Sequence, residues 1–231
     1  MALVNITRDG DAALVAFARP PLNVFDLELM EEFHELLLQL AAEPPGGGVV
    51  LTGEGTAFSA GVDFKQAPRY TEEERARLVR AINAAVTALY GLPTATVAAV
   101  NGHAVGGGLV MALACDARLA SNTHAKLGLT EITAGLPYPA APIAIVRAEI
   151  EPSYGRHLVL SGELIDPPTA LAHGLLDDVL APEELLGCAF ALARTRAAAS
   201  AYALVKEQLK GAALSRMREV VASGRDPLLR A

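Results

Sequence analysis

Two glycine-rich stretches constrain this chain more than any other feature, because each follows a short apolar run typical of a buried strand. The first covers residues 53–63 and the second 101–108. Glycine lets the backbone approach a ligand closely and adopt positive φ. In the second stretch the glycines also precede an apolar helical pattern, and free N–H groups at a helix N-terminus favour negative charge. One N–H from each stretch would form an oxyanion hole, in which a donor is typically worth about 2.7–4 kcal/mol. Two tight turns with close helix–strand packing explain the same glycines equally well.

Around these stretches the apolar pattern alternates between strands and helices. Asp26 is placed to cap one predicted helix, and Thr71 with Glu74 would form a capping box at the start of another. No sequence repeat underlies the alternation, so the pattern predicts an α/β fold. The predicted strands cover 4–8, 13–17, 49–52, 96–100 and 117–120, and the predicted helices cover 26–42, 71–90, 106–114 and most of the chain from 140 onward except 175–180.

The composition narrows the class of protein. The chain has 231 residues, 52% hydrophobic and 19% charged, which predicts one well-packed domain with apolar surface left for contacts between subunits. Its net charge of −7 argues against a protein that mainly binds nucleic acid. The sequence contains no run of about 18 apolar residues, so no membrane-spanning helix is predicted. The first residues lack the apolar core of a secretory signal. Two cysteines, Cys115 and Cys188, are too few for a disulfide scaffold, so we expect a reduced, cytoplasmic setting.

Other glycine-dependent sites fit the sequence poorly. Neither stretch contains the phosphate-loop or the dinucleotide-binding motif. Residues 57–61 nearly match a nucleophile elbow around Ser59, but Ala57 stands where glycine is needed, and several residues separate the segment from its strand. The histidines have no metal-ligand spacing, so no metal site is predicted. A nucleophilic serine is the weaker interpretation.

The two stretches resemble the crotonase, or enoyl-CoA hydratase/isomerase, superfamily. The resemblance runs in family order over most of the chain, from about residue 4 to residue 210. It is carried by Arg19-Pro20 with Leu22-Asn23-Val24, by residues 55–63 (GTAFSAGVD), 100–108 (VNGHAVGGG), 114–116 (ACD), 127–131 (LGLTE) and 161–163 (SGE), and by 172–177 (AHGLLD). Each motif alone is moderately specific, whereas the ordered set is highly specific.

The resemblance implies a fold and a ligand. The fold would be a spiral of ββα turns, as in the ClpP/crotonase fold, over residues 1–195, followed by a C-terminal helical segment at 196–231 used for trimer formation. That segment is shorter than in typical members, which leaves the cover over CoA and the choice between homotrimer and hexamer open. The ligand would be an acyl-CoA substrate, with no permanently bound cofactor.

The resemblance also implies the site residues. By position in the motifs, the N–H groups of Val62 and Gly107 would form the oxyanion hole for the thioester oxygen. The backbone around Ala60 and Val62 would contact the adenine of CoA, and Lys65 would contact a phosphate unless it is simply a solvated surface charge. No residue is expected to bind a metal.

Within this family, the reaction depends on which acidic side chains are present in the site. Its hydratases carry two glutamates, whereas here the first position is Val110 and only the second, Glu131, is an acid. This pattern resembles the Δ3,Δ2-enoyl-CoA isomerases, in which one carboxylate removes a proton at C2 and returns one at C4. If neighbouring leucines line the pocket, desolvation would raise the pKa of Glu131 towards useful general-base values.

The acyl pocket is expected to include Val110, Leu136 and Tyr138, where the chain reads Gly-Leu-Pro-Tyr-Pro instead of the hydratases' glycine-rich run. Tyr138 would close the pocket or simply pack. The leading prediction is Δ3 to Δ2 enoyl-CoA isomerisation through a dienolate. The alternatives are a hydratase, another enolate-based reaction such as decarboxylation or thioester hydrolysis, and a catalytically idle CoA-binding protein.

Overall fold

A computed structural model describes residues 2–122 and 124–229. Met1, Thr123 and the last two residues of the predicted segment 196–231 lie outside the described residues. The strands are β1 Val4–Asp9, β2 Ala12–Phe17, β3 Val49–Gly53, β4 Ala57–Ser59, β5 Thr96–Val100, β6 His103–Val105, β7 Ala117–Ser121, β8 Leu127–Gly128 and β9 Asp178–Leu180. The helices are α1 Leu27–Ala42, α2 Glu72–Tyr90, α3 Gly107–Ala114, α4 Glu131–Ala134, α5 Ala140–Glu149, α6 Pro152–Ser161, α7 Pro167–Ala172, α8 Leu185–Ala197 and α9 Tyr202–Ser223. Short 3₁₀ turns occur at Ala67–Arg69 and Pro227–Leu229.

The strands form a large sheet and a small one. The large sheet has the order β1-β2-β3-β5-β7-β9, with β1 and β2 antiparallel and the other neighbours parallel. The small sheet, β4-β6-β8, is parallel. The chain passes from a strand of the large sheet to a strand of the small sheet and then to a helix, as β3-β4-α2, β5-β6-α3 and β7-β8-α4. This repeated ββα order confirms the predicted spiral followed by C-terminal helices.

Most long elements were predicted within a residue or two, and their helix caps have the expected geometry. Asp26 accepts a hydrogen bond from the amide of Leu29 at 2.9 Å, which begins α1. Thr71 and Glu74 form the reciprocal capping box of α2. The small sheet was not predicted, because its strands have only two or three residues and residues 53–61 were interpreted as a loop.

Aromatic side chains hold the first turn of the spiral together. The ring of Phe17, on β2, makes edge contacts with Phe25, Phe33 and Phe58 at centroid distances of 5.0, 5.1 and 5.9 Å. Phe25 precedes α1, Phe33 lies on α1 and Phe58 lies on β4, so one buried ring joins both sheets to the first helix. The first glycine-rich stretch is therefore anchored on a rigid core.

Helix α9 is joined to the core by buried charges that the sequence analysis missed. Asp116 Oδ2 accepts hydrogen bonds from Lys206 at 2.8 Å, Tyr202 at 3.0 Å and the amide of Thr96 at 2.9 Å, while Oδ1 accepts from Lys210 at 2.7 Å. Both lysines are buried. Burial alone raises the pKa of Asp116, but the two ammonium groups outweigh it and keep this pKa below its usual value.

We expect Asp116→Asn to lower the free energy of unfolding by about 3 kcal/mol, because two buried ammonium groups would lose their counter-charge. Since the native pKa of Asp116 is depressed, its contribution is present above the unfolded-state pKa and is lost as the pH falls through the native one. Urea unfolding at neutral pH measures the change. The control is Glu207→Gln, which removes the half-exposed ion pair with Arg218 and is expected to cost less than about 1 kcal/mol. Equal losses for the two variants would contradict the role assigned to the buried cluster.

The proposed division between residues 195 and 196 falls inside α8. Helix α9 packs against α2 and α5 of the spiral, so the C-terminal helices continue the same packed unit. Within the described residues, no helix is long and apolar enough to cross a membrane.

Candidate active site

A cavity of about 640 Å³ opens between the two glycine-rich stretches, α2 and the segment around α4. Its lining is mainly apolar, which suits an acyl chain. Glu131 is the one carboxylate among the described residues that line it, and Arg75 and His103 are the other titratable side chains besides Tyr138.

Ser59 has a structural role in the first stretch. It is fully buried, its hydroxyl donates to the carbonyl of Asn23 at 2.7 Å, and it accepts from the amide of Gly61 at 3.0 Å. Both interactions fix the loop that precedes Val62. The nucleophilic interpretation, already the weaker one, has no support from this geometry.

The amide of Val62 points away from the neighbouring chain segment. Phe25 donates to the carbonyl of Gly61 at 2.8 Å and accepts from the amide of Asp63 at 2.9 Å, an isolated parallel bridge between Phe25 and Val62. In this parallel bridge Phe25 bonds to the two residues that flank Val62, Gly61 and Asp63. The N–H of Val62 itself therefore points away from Phe25. Val62 lines the cavity, and within the described residues its N–H has no hydrogen-bond acceptor.

The second stretch brings another free amide to the same place. Gly106, with φ +54° and ψ −125°, is the N-cap of α3, so the N–H of Gly107 has no acceptor within the helix. The two stretches approach each other closely, because a Cβ added to Gly61 would lie 2.7 Å from the carbonyl oxygen of Val105 and 2.8 Å from the nitrogen of Gly107. The φ of Gly61, +77°, also favours glycine. Two free N–H groups thus lie side by side at a helix N-terminus, the arrangement that stabilises an oxyanion.

Glu131 begins α4 at the edge of these amides. Its Oε1 would lie 3.3 Å from a Cβ added to Gly106, and its Oε2 accepts a hydrogen bond from the Tyr138 hydroxyl at 2.6 Å. Burial raises the pKa of Glu131 above its usual value, and the bond from Tyr138 opposes part of that rise. A partly desolvated carboxylate beside an oxyanion hole is suited to removing a proton next to a carbonyl group.

Most of the predicted site residues meet in this cavity. Its lining includes Ala60, Val62, Gly107, Glu131, Leu136 and Tyr138. Lys65 is not among the residues that line it; its side chain is exposed, and its backbone amide donates to Asp63.

The structure does not bring Val110 to the acyl pocket. Val110 is 1% exposed and belongs to the main hydrophobic core. Helix α3 is buried on every side from Gly108 to Ala114, and among its described residues Gly107, after the N-cap Gly106, is the one that lines the cavity. The prediction that Val110 lines the pocket is corrected for this reason.

Sequence reasoning missed two groups that shape the site. His103, on β6, lines the cavity and accepts the amide of Lys126 at Nδ1 at 3.0 Å, which leaves Nε2 as the protonated nitrogen. Asn23, buried and with φ +49°, donates to the carbonyls of Glu54 and Ala57 and so holds the first stretch. In the sequence both residues stand out only as members of the family motifs, and for His103 the metal-ligand spacing is absent.

Comparison with known proteins agrees with the fold. The model of the enoyl-CoA hydratase/isomerase family matches residues 8–226. A probable enoyl-CoA hydratase, EchA17 of Mycobacterium tuberculosis, is 35% identical over 188 residues, 81% of this chain and 72% of the relative. The (E)-benzylidenesuccinyl-CoA hydratase of Thauera aromatica is 36% identical over 200 residues, 85% of this chain and 77% of that protein.

Among solved structures, human mitochondrial delta3-delta2-enoyl-CoA isomerase superposes with a TM-score of 0.89 and 26% identity, covering 96% of this chain and 88% of that one. The family model covers almost the whole chain. The chain is therefore a member of the crotonase, or enoyl-CoA hydratase/isomerase, superfamily of acyl-CoA enzymes.

Proposed function

We propose that this protein isomerises Δ3-enoyl-CoA to Δ2-enoyl-CoA with Glu131 as its base and acid. The observation that carries the proposal is that Glu131 is the one carboxylate among the described residues lining the cavity, next to the amides of Val62 and Gly107. A single carboxylate over one face of the substrate removes a proton at C2 and returns a proton at C4. The similarity to the human isomerase supports the same reaction.

The electrons move without any added redox partner. Glu131 takes the C2 proton, the C2–H electrons form a double bond between C1 and C2, and the thioester oxygen becomes negative. The N–H groups of Val62 and Gly107 stabilise that charge. The dienolate then collapses, the C2–C3 double bond forms, and C4 takes the proton held by Glu131. The product contains the same atoms as the substrate.

We propose that CoA binds beside the same glycine-rich stretches. Ala60 and Val62 supply the backbone next to which the adenine is proposed to lie, and Lys65 is free to reach a phosphate from the surface. Leu136 and Tyr138 line the cavity and are proposed to contact the acyl chain.

We also propose assembly as a homotrimer or hexamer. Its support is the apolar surface of α9, where Leu204, Val205 and Leu209 are 71%, 55% and 82% exposed in the single chain. We further propose a reduced, cytoplasmic setting, because two cysteines are too few for a disulfide scaffold.

Hydration is the second candidate. It is favoured by the names of the sequence relatives and by His103, a second titratable group in the cavity with a free Nε2. In hydration, water attacks C3 of a 2-enoyl-CoA and C2 gains a proton, so a second group such as the Nε2–H of His103 would help to hold the water by donating a hydrogen bond to it.

Matched assays separate the two reactions. The protein is incubated with a 3-enoyl-CoA and with the corresponding 2-enoyl-CoA, and conjugation and water addition are followed separately by absorbance and mass spectrometry. We expect conjugation of the 3-enoyl substrate to be the faster process and to be unchanged in His103→Gln. If water addition is faster and is lost in His103→Gln, the protein is a hydratase and the proposed isomerase function is wrong. CoA binding without turnover of either substrate would identify an idle binding protein.

A further inference from the structure

Tyr138 makes a contact with the proposed base that simple packing does not require. The two residues are separated by a tight turn in which Gly135 adopts φ +68° and the amide of Leu136 donates to the carbonyl of Glu131 at 2.9 Å. This turn folds the chain back, so that the Tyr138 hydroxyl donates to Glu131 Oε2 at 2.6 Å. Both side chains line the reaction cavity.

The two oxygens of Glu131 therefore have different surroundings. Oε2 is engaged by Tyr138, whereas Oε1 lies next to Gly106, 3.3 Å from where a Cβ would stand. Gly106 is the residue immediately before the amide of Gly107. Oε1 is thus the oxygen beside the oxyanion hole, where the carbon atoms next to the thioester would lie.

We propose, on the basis of the proposed function, that Tyr138 is a positioning residue that holds Glu131 by Oε2 and leaves Oε1 alone to carry the proton between C2 and C4. A carboxylate held by one oxygen would lose this hydrogen bond on rotating about its last torsion, so the other oxygen favours one position over the substrate in both steps. Proton removal and proton return then use the same atom.

The hydroxyl of Tyr138 stays protonated over the working pH range. Burial, together with the negative charge of Glu131, raises the pKa of Tyr138 well above its usual value. Tyr138 therefore acts as a fixed hydrogen-bond donor and exchanges no proton with the substrate.

Tyr138→Phe tests the proposal by removing the hydroxyl and keeping the ring. We expect kcat for isomerisation to fall about tenfold, as when a hydrogen bond to a charged group is lost. The acidic limb of kcat/KM should move to higher pH, because the bond lowers the pKa of Glu131 and its loss raises that pKa. Arg75 on α2 and His103 on β6, the other titratable groups lining the cavity, are unchanged in both proteins.

Tyr90→Phe is the matched control. Tyr90 donates to Glu149 at 2.6 Å, so this variant loses a tyrosine–carboxylate bond of the same length outside the reaction cavity. Its pH profile should equal that of the wild type. A role in packing alone predicts that Tyr138→Phe also keeps the wild-type profile, and that result would overturn the proposal.

Infrared titration of the Glu131 carboxyl group tests the hydrogen bond without any substrate. The Glu131 band is the one that is missing in Glu131→Gln. In Tyr138→Phe, the pH midpoint of protonation of this band should be higher than in the wild type, whether or not any substrate is turned over. An unchanged midpoint overturns the positioning role even in an active isomerase. A raised midpoint in a protein with no isomerase activity supports the positioning role and rejects the proposed function.

Discussion

Glu131→Gln should lower kcat for isomerisation by about 10²–10⁴-fold, the range typical of a lost general acid–base group, while leaving the affinity for CoA nearly unchanged. Glutamine keeps the shape of the side chain and can still accept the hydrogen bond from Tyr138, but it cannot take a proton from C2. Steady-state kinetics with a 3-enoyl-CoA and calorimetric titration with CoA measure the two quantities. Glu207→Gln on α9, outside the cavity, serves as the control and should retain activity.

The thermal stability of Glu131→Gln is a second test of the role of this carboxylate. A carboxyl group whose native pKa is raised stabilises the fold only in its protonated form, and that contribution is lost as the pH rises. At neutral pH the variant should therefore unfold at the same temperature as the wild type or at a higher one. Unchanged turnover in this variant would show that the base lies elsewhere, and a large loss of stability would show that the residue is structural.

Gly61→Ala should reduce kcat about 10²–10³-fold, the loss expected when one oxyanion-hole donor is displaced. The added methyl group would meet the carbonyl oxygen of Val105 at 2.7 Å and the nitrogen of Gly107 at 2.8 Å, so the two stretches would have to move apart. Because both contacts are backbone atoms, no side-chain rotation relieves them. The measurement is single-turnover isomerisation at saturating substrate, which separates chemistry from binding.

Gly174→Ala is the control for the backbone cost of that substitution. Gly174 has φ +72°, close to the +77° of Gly61, but a Cβ there would meet no atom within 4 Å. In both variants, an alanine in the left-handed conformation lowers the free energy of unfolding by about 1 kcal/mol or more. Only Gly61→Ala should lose activity. Equal activity in the two variants would contradict the assignment of Val62 and Gly107 as the oxyanion hole.

The features that could be predicted from the sequence are those determined by neighbouring residues. The cap of α1 at Asp26 and the capping box of α2 depend on side chains within three positions, and both form as expected. The glycine-rich stretches were identified because only glycine meets their backbone requirements, and Gly61 and Gly106 have positive φ.

The features that could not be predicted depend on residues distant in sequence. The small sheet pairs strands of two or three residues that are far apart in the chain, so no local pattern marks them. Lys206 and Lys210 appear in the sequence as ordinary helix-surface charges, yet they are buried around Asp116. The position of Val110 in the core follows from helices packed around α3, which the sequence alone does not reveal.

The central claim is that one carboxylate carries out both proton transfers, and the transfer of a label tests it most directly. A 3-enoyl-CoA carrying deuterium at C2 is converted in a single turnover in ordinary water, and the product is examined by mass spectrometry and NMR. The account predicts 2-enoyl-CoA with a measurable fraction of the deuterium at C4. Product with no deuterium at C4, together with turnover that persists in Glu131→Gln, would show that other groups remove and return the proton, and would contradict the account.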